Sequence, residues 1–211
     1  MKTKIATAVT AFLVLTTPAF AHPGHGESLS FSLGFVHPLS GIDHILAMIA
    51  VGLFAVQLGG RAPWTLPAAF IAAMIAGGAM GNAAMALPLA EPGIALSVIA
   101  MGLLIALGLK PPTKIAAVLV AVFAVCHGHA HGREIGESVS FLPFAAGFVA
   151  ATALLHLTGI IVGQSLNRLQ HGQVLSRAAG VASAAAGART SGRLSRFAGG
   201  DVCNDHSRYG E

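Results

Sequence analysis

Apolar residues gather in five long runs, at about 37–58, 66–87, 92–109, 114–129 and 141–163, separated by short polar or glycine- and proline-rich breaks. Gly59-Gly60-Arg61, Pro88 and Lys110-Pro111-Pro112 mark three of those breaks. Runs of roughly 20 apolar residues are the length a helix needs to cross the hydrocarbon core of a bilayer. A sixth stretch, 174–188, is rich in Ala and Gly but carries Arg177 and is marginal for a span. The pattern predicts an all-α membrane protein, a small polytopic bundle of about 5–6 transmembrane helices over 37–188.

A shorter apolar run precedes these. Lys2 and Lys4, then Ile5 to Leu15, then Ala19-Phe20-Ala21 have the basic, apolar and small-residue parts of a secretory signal peptide. Cleavage after Ala21 removes 1–21 and leaves 22–36 as a periplasmic, histidine-containing leader. It begins His22-Pro23-Gly24-His25, whose free amine and imidazoles suit loose metal binding as well as a solvated tail.

Composition supports lipid as the solvent: 55% of residues are hydrophobic and 9% charged, with mean hydropathy +0.75, against about 25% charged in ordinary soluble domains. Charge also sets orientation. With the mature start outside, the inner loops hold Arg61, then Lys110 and Lys114, then Arg168 and Arg177. The outer loops hold Glu91, then Arg133, Glu134 and Glu137. All inner loops are basic, as the positive-inside rule requires, with Arg133 the exception. No basic stripe with interleaved aromatics appears, so the charge pattern reads as membrane orientation and no nucleic-acid partner is expected. The lipid bilayer is expected, and an oligomer is compatible. Gly77-x-x-x-Gly81 and Gly159-x-x-x-Gly163 fit close helix contacts in lipid.

Histidine is the unusual feature: 10 against 8 carboxylates in so apolar a chain. Imidazoles inside a membrane need partners and mark pathways. The first group is His37-Pro38-Leu39-Ser40-Gly41-Ile42-Asp43-His44, with Met48 one turn on. A continuous helix places His37 and His44 on one face, and His44 and Met48 likewise, although Pro38 and Gly41 lie where they can disturb the first turn. Asp43 is the one carboxylate within the five runs, suited either to ligate a metal or to orient a histidine. The second group is His127, His129 and His131, followed by Glu134, which is either a ligand or a loop charge. Alternating histidines share a side in a strand, whereas a helix pairs His127 with His131. Imidazole suits Ni, Cu, Zn and Co alike. His156 sits alone in the fifth run, either a packing residue or a third pathway ligand. Met74, Met80, Met85 and Met101 read as core.

No H-E-x-x-H, Walker lysine loop or C-x-x-C occurs. No enzyme is expected, no permanent cofactor, and transport would be secondary or driven by a partner.

The stretch His37-Pro-Leu-Ser-Gly-Ile-Asp-His-Ile-Leu-Ala-Met48, with Ala50-Val51-Gly52 after it, resembles the HupE/UreJ family of nickel and cobalt permeases. His127-Gly-His-Ala-His-Gly132 with Glu134 is similar to the family's second histidine motif, and Ala151-Thr152 with Leu155-His156 to its fifth-helix signature. The likeness covers about 1–188. It implies uptake of Ni²⁺, with Co²⁺ as a second cargo, for hydrogenase or urease maturation. It further implies that His37, Asp43, His44, His127 and His131 handle the ion. The family usually closes with an apolar sixth helix, whereas 189–211 here is a polar, atypical tail. The expected function is import of a divalent transition metal across the bacterial inner membrane. The alternative is a periplasm-facing metal-binding accessory protein without transport.

Overall fold

The computed structural model describes residues 25–88, 90–136 and 139–200; side chains at 25, 26, 43 and 190–200 lie outside that description. The signal-peptide reading of 1–21, and His22 with it, also lie outside it. Among the described residues every regular element is a helix: α1 (His25–Ser40), α2 (Ile42–Leu58), α3 (Ala62–Asn82), α4 (Ala90–Ala106), α5 (Thr113–Glu134), α6 (Phe141–Leu166) and α7 (Gly172–Gly200).

Among the described residues three helices, α3, α5 and α6, are long and apolar enough to cross a membrane. The α1–α2 pair qualifies as one broken span, bent by 77°, and α4 is a shorter apolar helix. Many outward-facing residues are large and apolar, among them Ile75, Leu96, Leu103, Val118, Val122, Leu154 and Ile161. An apolar belt of this extent suits lipid rather than water.

The first span is where the structure departs from the sequence reading. Residues 25–36, expected as leader, belong to α1. Its Leu29, Phe31, Leu33 and Val36 side chains are exposed like those of the other helices. The expected continuous helix through His37 and His44 is broken. Pro38 has no N–H to bond the Gly34 carbonyl, and Gly41 adopts an extended φ of −104° and ψ of 120°. The Ser40 hydroxyl donates to the His37 carbonyl at 2.6 Å, satisfying one of the carbonyls left over at the end of α1.

The bent pair nonetheless follows α6 in one direction. The Ser140 N–H donates to Ser30 Oγ at 3.1 Å, His37 packs on Phe144 and Phe148, and Gly52 lies against the His156 carbonyl and Val56 against Gly163. Gly59 and Gly60, with φ of 74° and 55°, turn the chain from α2 into α3 in a region that disfavours a β-carbon.

Glycines set the closest contacts elsewhere. On α3 and α5, Gly77 faces Val125, Gly81 faces His129, and Gly128 and Gly132 face Met74 and Gly78, so these two helices run parallel with their backbones almost touching. On α4 and α7, Gly102 meets Gly180 and Ala184, and Gly187 meets Val98, an antiparallel pair. The last helix therefore extends well past 174–188, although its apolarity falls short of the other spans. The core between the helices is built on Met48, Phe54, Leu66, Phe70 and Met101.

Candidate metal centre

The histidine tract 127–131 is helical, so the helical pairing holds: His127 and His131 share a face of α5, and both are buried. The bend at Gly41 sets His37 and His44 on two differently directed helices, both reaching His131. Its Nε2 lies 2.7 Å from His44 Nε2. Its Nδ1 lies 2.9 Å from His37 Nε2 and 3.1 Å from Glu134 Oε2. The His37 Nε2–Glu134 Oε2 distance is 3.1 Å.

Two donor triads result among the described residues: His37, His131 and Glu134, and His44, His127 and His131, each with donor atoms within 4.8 Å of one another. In the first, the donor atoms form a triangle with edges near 3 Å. Ligands at right angles around an ion at about 2.1 Å present that spacing. Imidazole and carboxylate donors together suit borderline divalent transition metals. The first triad opens outward, with the Glu134 side chain 57% exposed. The second is deeper, and His127 is wholly buried.

The tautomer of His127 follows from its neighbour. The Ser97 hydroxyl donates its proton to the Ile94 carbonyl at 2.7 Å and so accepts from His127 Nε2 at 2.9 Å. That leaves the His127 lone pair on Nδ1, oriented by a group behind it.

A cavity of about 690 Å³ opens onto His44, His131, Glu134, His129 and Glu91. A second, of about 640 Å³, lies at the opposite end of the bundle, bordered by Gln57, Asn167, Gln170, Lys110 and Arg177.

Other residues singled out from sequence fall elsewhere. His129 stands outside both triads and donates through Nε2 to the Met85 carbonyl at 2.6 Å. Met48 is fully buried in the apolar core. His156 is buried against Phe70 and belongs to neither triad. The backbone of Asp43 lies in the first turn of α2 and that of His25 at the start of α1; their side chains are outside the described residues. Ser97, Phe70 and Glu91 carry no mark of the site in the sequence. Ser97 and Phe70 look like ordinary helix residues, and Glu91 like a loop charge. Only the packing of α3 and α4 against α5 brings them to the site.

These features define a polytopic helical membrane protein with an imidazole-rich centre at one end of its bundle. The family model described as HupE / UreJ protein matches residues 10–190, and the chain belongs to that family. It is 46% identical over 180 residues to the protein HupE of Rhizobium leguminosarum bv. viciae, covering 85% of this chain and 94% of that one. No solved structure matches the chain.

Proposed function

We infer that the protein is a secondary transporter that imports a divalent transition metal across the bacterial inner membrane, with Ni²⁺ the first candidate and Co²⁺ the second. It would supply hydrogenase or urease maturation. The mature N-terminus and the 690 Å³ cavity then face the periplasm, and the 640 Å³ cavity faces the cytoplasm. The observation that carries this reading is His131, whose two ring nitrogens reach two different donor triads.

A neutral imidazole has one lone pair and one N–H. His131 therefore serves the His37–Glu134 triad or the His44–His127 triad, one at a time. An ion taken from the periplasmic cavity by Glu134, and held with His37 on Nδ1 of His131, passes inward when His131 changes tautomer: the Nε2 proton is given up, Nδ1 takes one as it releases the ion, and the lone pair then faces His44 and His127. A site that shares its central ligand with the next site holds its ion less permanently than a closed four-ligand cage. Conduction needs that balance between entry and release. The ion is cargo, and the protein is neither an enzyme nor the holder of a permanent cofactor.

Radiolabelled nickel uptake by cells producing the wild-type chain or His44→Ala tests the reading. Uptake above background with the wild type, lost in the variant, supports transport. Equal uptake by the two overturns it. If the purified wild type binds nickel but cells gain none, the protein is instead a periplasm-facing metal-binding accessory.

A further inference from the structure

His156 lies on α6, one turn beyond Thr152, and is 1% exposed. Among the described residues, neither of its ring nitrogens meets a hydrogen-bonding group. A buried imidazole with both nitrogens unanswered is costly, and native structures rarely keep such a group without a use for it. A packing role alone would be filled better by phenylalanine or leucine.

Its surroundings tie it to the metal centre. The ring of Phe70 stands edge-on to His156, with centroids 4.9 Å apart and planes at 84°. The same ring packs against His127 with centroids 5.9 Å apart. Phe70 is 2% exposed, so it touches an imidazole of the deeper triad and the isolated imidazole together, away from solvent. One turn along each helix, the Thr152 hydroxyl meets the Met74 thioether at 3.8 Å. Imidazole, hydroxyl and thioether thus line this part of an otherwise apolar interface between α3 and α6.

We propose that His156 is a further metal-binding station, taking a borderline divalent transition-metal ion from His127 past the ring of Phe70. The proposal rests on the transport reading above. His156 supplies a nitrogen lone pair in neutral form, and the ion supplies the partner that the ring lacks. Phe70 separates the two stations as an apolar barrier that a hydrated ion does not cross while the ring stays in place.

The test uses the full chain purified in detergent and titrated with Co²⁺, whose absorption spectrum reports imidazole ligation. His131→Ala removes the shared ligand of both triads. The proposal expects this variant to retain a bound ion that His131→Ala/His156→Phe loses. His156→Phe alone should keep the wild-type affinity at the triads and lower nickel uptake by about tenfold or more, the scale on which ligand-environment changes act. Phenylalanine removes two unanswered nitrogens and keeps an aromatic ring, so the melting temperature should hold; His156→Leu repeats the comparison with a smaller side chain.

Equal Co²⁺ binding by His131→Ala and the double variant overturns the proposal, as does uptake by His156→Phe at the wild-type rate. If the wild type binds Co²⁺ and His131→Ala binds none, the His156 station is lost and the transport reading stands. If the wild type binds none, both fall together.

Discussion

The Nε2 atoms of His131 on α5 and His44 on α2 lie 2.7 Å apart, although the residues are 87 positions apart in the chain. Two bare imidazole nitrogens at that distance hold together only if one carries a proton or if a cation sits against them. Loading a divalent ion replaces that proton.

Metal affinity should therefore fall as pH falls. Each ligating nitrogen must be free of a proton to bind the ion. Raising the pH favours the metal, and lowering it favours protons. Several imidazoles act together, so apparent nickel affinity should drop with falling pH more steeply than one proton per ion. Isothermal titration at a series of pH values measures the slope.

Ser97→Ala should weaken nickel binding by about 10–100-fold without unfolding the protein, because it frees His127 to take the other tautomer. Ser97→Thr keeps the hydroxyl and should retain most of the affinity. Equilibrium dialysis of the three forms checks this. Unchanged binding in Ser97→Ala would mean that the hydroxyl bond is structural only.

Glu134→Gln keeps a polar side chain of the same size but removes the anion from the outer triad. Capture should become roughly tenfold weaker, a charged ligand's hydrogen bond or ion pair being worth about 1.5–3 kcal/mol. Binding by the deeper triad, which lacks a described carboxylate, should change far less. Nickel uptake measured against concentration should show a raised half-saturation point.

Gly128 tests the fold beneath the site. A β-carbon there would collide with the Met74 carbonyl and the Gly78 amide, both backbone atoms. Gly128→Ala should cost about 1–3 kcal/mol, as overpacking does, and shift the flanking His127 and His131. At Gly136 an added β-carbon meets nothing within 4 Å, and Gly136→Ala should leave the melting temperature unchanged. Thermal unfolding in detergent compares the two.

How much of this was legible in the sequence varied with the range of the cause. Apolar runs and their Gly and Pro breaks are local, and they located α2 to α6 to within a few residues at most ends. The pairing of His127 with His131 is also local, once the tract is helical. The break at Gly41 was signalled by Pro38 and Gly41, but not the size of the bend. The meeting of His37 and His44 at His131 depends on how α1, α2 and α5 pack. So do the Ser97 bond to His127 and the Phe70 contact with His156. No spacing along the chain encodes these. His129 shows the converse: it belongs to the motif, yet its position on the helix directs it to the Met85 carbonyl.

The most direct measurement is radiolabelled nickel uptake by cells producing His131→Ala, beside cells producing His129→Ala. His131 is the ligand shared by both triads, and His129 belongs to neither. The expected result is uptake at the background of non-producing cells for His131→Ala, and uptake near the wild-type rate for His129→Ala. Wild-type uptake by His131→Ala would contradict a pathway that runs through the shared imidazole.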